Sequence, residues 1–314
     1  VTGDIKTREG FEDAVVRDVL RQNLYGVDIN PASVEITKLA LWLHTARGDQ
    51  PLSSLDDHIR DGNSLIGPDF FEGLAPYHAE ERDRINAFDW QTAFPEVFER
   101  GGFDVVIGNP PYVKLQNFRR VHPDMAAFLS RDLAEGGHYR STQTGNFDIF
   151  LPFIEKGINL LNDDGRLGYI APSLWTMNEY GAGLRDLVNR GGHLWGWIDF
   201  GSYQVFDEAI TYTALQFYSA RTNDTVSVSP APDGIISANP WIGNEKSLPY
   251  TQLSFGDRWL LVTGADRDLI DKIYTKSLTL GDNTVSRHIY QGLIAGRDHI
   301  FHLYLESVEI RILA

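Results

Sequence analysis

The sequence predicts an α/β protein built on a mostly parallel sheet, with an antiparallel strand near the end. Three observations carry that expectation. Apolar runs of strand length alternate with stretches of helical spacing between residues 24 and 218, the order that builds strand–helix–strand units. The run Phe103-Asp104-Val105-Val106-Ile107-Gly108 reads as a buried strand, broken at once by Asn109-Pro110-Pro111-Tyr112. Leu24-Tyr25-Gly26-Val27-Asp28-Ile29-Asn30 reads as a short strand ending in an acid, with Pro31 suited to the first turn of a following helix and Asn30 to its cap.

The elements follow in order. Phe11, Val15 and Val19 have helical spacing over residues 11–23. The helix opened by Pro31 runs through Val34, Leu39 and Leu43 towards Arg47 and Gly48. A short element over residues 59–66 precedes a polar, acidic loop near 75–100, and then the strand into Asn109. Residues 113–145 read as a long polar segment, of a length that usually carries function. A helix from Phe147 to Leu161 ends at the turn Asn162-Asp163-Asp164-Gly165. Strands are expected at 167–172, 194–200 and 213–218, with a helix near 179–190 between the first two. Residues 222–256, rich in Ser, Pro, Asn and Gly, read as a boundary. A helix follows at 266–274, and a glycine-punctuated segment, Ile289 to Asp298, opens something new.

Composition limits the classes available. The 314 residues include no cysteine, which removes disulfides, cysteine-ligated zinc and a cysteine nucleophile. No His-Glu-x-x-His spacing marks a metal site, and neither a Gly-x-Ser-x-Gly elbow nor a Gly-Lys-Ser/Thr phosphate loop is present. No apolar run approaches the roughly 18 residues of a membrane span, and the start shows no signal-peptide pattern. A cytoplasmic protein with no membrane partner is expected. The net charge of −15 argues against a generally cationic, DNA-coating surface. It leaves room for a local groove, for which Lys114, Arg119, Arg120 and Arg140 are candidates.

The tetrapeptide carries the chemistry. It falls at the carboxyl end of its strand, where open α/β sheets place ligands. Two prolines stiffen the backbone and remove two amide donors, leaving carbonyls with a fixed aim. Asn109 adds a side-chain carbonyl and Tyr112 a flat face. Such a site suits a planar substrate with an amino group at its edge. The exocyclic amine of adenine is a weak nucleophile, because its lone pair is delocalised into the ring. Acceptors at the Asn109 side chain and the Pro110 carbonyl would each take one of its protons and localise the lone pair. Tyr112 would stack on the base, worth roughly 1–3 kcal/mol. In duplex DNA that base must first be flipped out. A proline-stiffened turn with no catalytic role also fits these four residues.

Asn-Pro-Pro-Tyr after a hydrophobic strand, with Tyr25-Gly26-Val27-Asp28-Ile29-Asn30-Pro31 and Asp61-Gly62-Asn63-Ser64-Leu65 ahead of it, resembles the adenine-specific DNA methyltransferases of type IIG restriction-modification and BREX-like systems. The resemblance implies a Rossmann-like S-adenosylmethionine-dependent methyltransferase sheet acting on double-stranded DNA, with restriction or defence subunits as further partners. It implies S-adenosyl-L-methionine as cofactor. Asp28 and Ile29 would lie at its ribose, Asp61 and Gly62 at its adenine, and Phe153 against the adenine ring. Phe206 would be a second contact to the target base, and Asn109, Pro110, Pro111 and Tyr112 the catalytic set. Each also has a plain reading: Asp28 a helix cap, Asp61 an Asp-Gly turn, Phe153 a core residue, Phe206 a loop aromatic. The family's glycine-rich loop has no counterpart here, so the first strand is expected to be missing and the piece alone to be inactive. The expected division is a partial catalytic core over 1–221, a boundary segment and helix over 222–284, and the start of a target-recognition region over 285–314. Two alternatives stand beside this: methylation of a protein glutamine amide, and an inactive DNA-binding remnant.

Overall fold

The computed structural model describes residues 15–16, 18–45, 54–72, 79–206, 211–241, 247–255 and 258–276. The chain divides after Gly264 into two units. The first opens with β1 (Gly26–Asp28), α1 (Pro31–Thr45) and β2 (Ile59–Asp61). Asn30 caps α1 as its sequence predicts, its Oδ1 accepting the Ala32 N–H at 2.9 Å. β1 and β2 pair in parallel as a separate two-stranded sheet, joined by α1 in a Rossmann-like unit. Val34, Leu55 and Ile59 form the small core between helix and strands.

The acidic stretch near 75–100 is not a loop. It holds α2 (Ala79–Ile85) and two short helices, Trp90–Ala93 and Pro95–Phe98. Phe88, Phe94 and Val97 are buried there and pack with Tyr25, Val27 and Phe103. Charged residues between these apolar positions conceal them in a composition reading. Asp89 caps the first short helix by accepting from the Gln91 and Thr92 amides.

The main sheet has six strands in the order β3-β4-β6-β5-β7-β8. They are β3 (Phe103–Gly108), β4 (Leu161–Pro172), β5 (Leu194–Asp199), β6 (Thr213–Ser219), β7 (Thr225–Pro230) and β8 (Ser247–Pro249). β3, β4, β5 and β7 share one direction, and β6 and β8 oppose it. The mostly parallel sheet with a late antiparallel strand is thus present, and β6 sits inside it between β4 and β5. Two expectations change. The stretch Asn162–Gly165 is a bulge within β4: Phe103 pairs with Leu161, and Val105 next with Arg166. A Cβ on Gly165 would lie 2.7 Å from the Phe103 carbonyl, so the bulge needs a glycine. The sheet also continues past residue 221. β7 lies in the 222–256 stretch, where Val226 and Val228, two residues apart on one face of the strand, are both buried. Its serines made a strand look like a linker.

Residues 113–145 are likewise structured, as α3 (Leu115–Val121) and α4 (Pro123–Leu129). Leu115, Met125, Ala126, Phe128 and Leu129 join the main core with α5 (Phe150–Asn159) and the inner face of the sheet. Beyond β4 come α6 (Ala182–Gly191), near where a helix was expected, and later the hairpin β9 (Ser254–Phe255) and β10 (Arg258–Trp259). Trp175 and Trp197 are 0% and 1% exposed, and burying an aromatic of that size contributes about 1.5–3 kcal/mol. β3 departs from the buried strand expected of it. Val105 is 62% and Ile107 79% exposed, so no element among the described residues covers the face from which they project. In the second unit, α7 (Gly264–Lys276) matches the helix expected at 266–274. The segment from 277 to 314, including the expected recognition region, lies outside the described residues.

Candidate active site

β3 delivers the tetrapeptide. At its last residue, Gly108, an added Cβ would stand 3.0 Å from the Tyr169 ring on β4. The strand therefore turns where a larger residue would push the two strands apart. Pro110 is buried, Asn109 and Pro111 are exposed, and Tyr112 is half-buried. The Asn109 carboxamide has no hydrogen-bond partner among the described residues, so its oxygen is free to accept. The Tyr112 hydroxyl donates to the Ile170 carbonyl of β4 at 3.2 Å. Burial pushes its phenol up to about 12, so it stays neutral well above physiological pH. Phe206 stands edge-on to it, with ring centroids 6.0 Å apart and planes at 70°. The structure thus brings together the two aromatics singled out in the sequence from distant positions.

The chain leaving Tyr112 is fastened to the chain entering α5. The Ile149 amide donates to the Val113 carbonyl at 2.8 Å, and the Leu115 amide to the Phe147 carbonyl at 2.9 Å. Lys114 and Asp148 face each other across this short antiparallel bridge. Burial raises the Asp148 carboxyl above the usual range, and the Lys114 charge opposes that rise. One turn further along α5, Phe153 is half-buried and packs against the main core.

Asp28 and Asp61 end β1 and β2 as register partners, side by side at the carboxyl ends of parallel strands. Both are exposed. One Asp28 oxygen accepts the Asn30 amide at 2.7 Å. One Asp61 oxygen accepts from the Asn86 side chain at 2.9 Å. Each keeps an oxygen for a ligand. Ile29 is 54% exposed beside them. Gly62 is buried, and a Cβ there would overlap the Phe88 ring. Its amide donates to the Asp28 carbonyl at 2.9 Å, tying the two strand ends. Beyond it, the Tyr139 hydroxyl holds the Leu65 carbonyl at 2.6 Å, and Leu65 and Ile66 join the main core. Two exposed carboxylates beside a tight glycine turn suit the hydroxyls and amine of a nucleoside, so the residues present fit the expected cofactor.

Two expectations about charge are altered or refined. Arg140 is drawn away from the proposed cationic group by an ion pair with Asp186 at 3.1 Å. Arg119 and Arg120 stay exposed on α3, and Arg120 also reaches the Asn117 side chain at 3.0 Å. No cluster of metal-ligating side chains occurs among the described residues, and none of their helices is long and apolar enough to cross a membrane. Sequence reasoning missed Asn86, whose left-handed backbone (φ 46) sets its side chain on Asp61. It also missed Asp148. Its position just before α5 was visible, but its pairing with Lys114 depends on register.

Comparison with known proteins gives a consistent picture. The pattern of the Eco57I restriction-modification methylase family matches residues 22–206. The chain is 28% identical over 293 residues to the type II restriction enzyme and methyltransferase RM.Eco57I of Escherichia coli, covering 89% of this chain and 27% of that protein. It is 32% identical over 133 residues to the type II methyltransferase M.PaeR7I of Pseudomonas aeruginosa, covering 42% of this chain and 21% of that one. It is 24% identical over 189 residues to the adenine-specific methyltransferase PglX of Streptomyces coelicolor, covering 52% of this chain and 14% of that one. The chain thus spans about a quarter or less of the length of these relatives.

Proposed function

The chain belongs to the Eco57I restriction-modification methylase family, and we propose that it carries catalytic residues for transferring a methyl group from S-adenosyl-L-methionine to the exocyclic amine of adenine in DNA. The observation that carries this reading is the meeting of Tyr112 and Phe206 at 6.0 Å beside the unpartnered Asn109 carboxamide. Two aromatic rings in edge contact at the carboxyl end of a sheet strand offer an apolar corner against which a flat ring can lie, and the adjoining Asn109 and Pro110 carbonyls are the acceptors for its amine. A base in that corner has left the helical stack.

The proposed roles are those the resemblance implies, supported by the placement of these residues at the carboxyl ends of their strands. Asn109 Oδ1 and the Pro110 carbonyl each accept a hydrogen bond from one amine N–H, which localises the nitrogen lone pair towards the attacking direction; as the C–N bond forms and the methyl–sulfur bond breaks, one of these protons is released to solvent. Acceptors fixed before reaction do not reorganise during it. Tyr112, held by the Ile170 carbonyl, keeps the ring flat. As a neutral phenol it is a wall and not a base. Asp28 and Ile29 take the ribose of the cofactor, Asp61 and Gly62 its adenine amine, and Phe153 the face of its adenine. When bound, the cofactor supplies an electrophilic methyl group on a sulfonium. Alignment of amine and methyl supplies most of the rate, as for any bimolecular step made effectively unimolecular. Double-stranded DNA is the proposed partner, with other restriction or defence subunits beside it.

The test uses the full-length protein with methyl-labelled cofactor, offered DNA and protein substrates in parallel. Label recovered as N6-methyladenine supports the reading. Label in a protein glutamine amide would move the same geometry to a different substrate. Binding of DNA without transfer to either would mean a remnant that has lost its chemistry.

A further inference from the structure

We propose that Asp148, acting through Lys114, is a positioning residue that holds the Asn109–Tyr112 turn in register with the helix carrying Phe153. The inference rests on the methyl-transfer reading, in which the turn grips the accepting amine and α5 borders the methyl donor. Those two subsites come from separate segments. The covalent path between Tyr112 and Phe153 runs through α3, α4 and the loop beyond them, too long to set their spacing.

A short bridge sets it instead. Lys114, separated from Tyr112 only by Val113, is the bridge partner of Asp148, which leads into α5. Backbone bonds on either side lock the pair, Ile149 N–H to Val113 at 2.8 Å and Leu115 N–H to Phe147 at 2.9 Å. Residues directly opposite in an antiparallel pair have Cβ atoms about 4.5–5.5 Å apart, and opposite charges there attract. The Asp148 carboxylate accepts no hydrogen bond from the described residues and is half-buried. Lys114 is the cation that favours its charged form. The other titratable group facing it is Tyr180, whose phenol is pushed up to about 12 by burial first and then by Asp148. A half-buried carboxylate opposite one lysine, with a neutral phenol as its other neighbour among the described residues, has its attraction directed to that lysine. Because burial raises Asp148, it takes up a proton at higher pH than an ordinary aspartate. The attraction is present above that pH and fades as pH falls through it.

The experiment compares Asp148→Asn, Lys114→Met and the double variant in the full-length protein. Lys114 is exposed, so its replacement does not threaten the fold. Asp148→Asn is expected to lower kcat on DNA about tenfold or more, since a displacement of about 1 Å at a reacting centre costs up to roughly a hundredfold. Cofactor Kd and melting temperature should change little. The acid-side fall in kcat should flatten, and amide exchange at Leu115 and Ile149 should quicken without cofactor present. Lys114→Met should behave alike, and the double variant no worse than either. Wild-type kcat and an intact acid limb in Asp148→Asn would overturn the proposal. So would additive losses, unchanged exchange at both amides, or a joint fall of kcat and melting temperature with Lys114→Met silent. Wild-type protein that methylates no DNA would instead defeat the methyl-transfer reading, while the exchange measurement would still report on the bridge.

Discussion

Tyr112 combines three constraints that a surface tyrosine lacks: a hydroxyl tied to Ile170, a ring edge against Phe206, and a half-buried phenol whose ionisation is pushed up to about 12. Asn109, by contrast, is exposed and uncommitted. The division fits a wall and a gripping acceptor. Asn109→Ala or Tyr112→Ala in the full-length protein should therefore lower kcat by about a hundredfold or more, the scale of losing a transition-state contact, with cofactor Kd nearly constant. Equal losses in turnover and cofactor binding would count against these roles. Asp28→Ala should do the reverse, weakening cofactor binding by roughly tenfold or more, the scale of a hydrogen bond to a charged group. Calorimetric titration checks this, and an unchanged Kd removes Asp28 from the ribose site.

At the scale of elements, small residues decide where strands end. Gly62 packs under Phe88 and ties the ends of β1 and β2. Gly62→Ala should cost about 1–3 kcal/mol, as overpacking does, read as a lower urea midpoint with unchanged slope; a wild-type midpoint would mean that Phe88 moves aside freely. The helices α3 and α4 show how sequence reading went astray here. Arg119, Arg120, His122 and Arg131 dominate the composition of their stretch, yet Met125, Ala126, Phe128 and Leu129 are buried. A short helix needs only one apolar face, and a polar majority elsewhere hides it.

Across the whole molecule, the excess of acids over bases (43 against 28) would leave contact with the proposed DNA partner to local cations. Arg119 and Arg120 stand on the helix that follows the Asn109–Tyr112 turn, and neither is paired with a carboxylate among the described residues. Replacing either with alanine should reduce the slope of log affinity for DNA against log salt by about one, measurable by fluorescence anisotropy over a salt series. An unchanged slope places the phosphates elsewhere. One face of β3 stays bare at this scale. Parallel strands are ordinarily covered on both faces, yet Val105 and Ile107 are exposed among the described residues.

Local chemistry made much of this protein legible from its sequence alone. An apolar run ended by Asn-Pro-Pro-Tyr reads as a strand that stops, and Asn30-Pro31 reads as the cap and first turn of a helix, because proline geometry and capping act within a few residues. The strands at 194–199 and 213–219 and the helices α1, α5 and α6 were readable for the same reason. Tertiary structure alone decided what depends on distant segments meeting. It set Phe206 against Tyr112, placed β6 between β4 and β5, added β7 and β8 from the 222–256 stretch to the sheet, drew Arg140 to Asp186, and put Lys114 opposite Asp148. Register and partner choice come from the packing of the whole core, and no window of neighbouring residues contains that information.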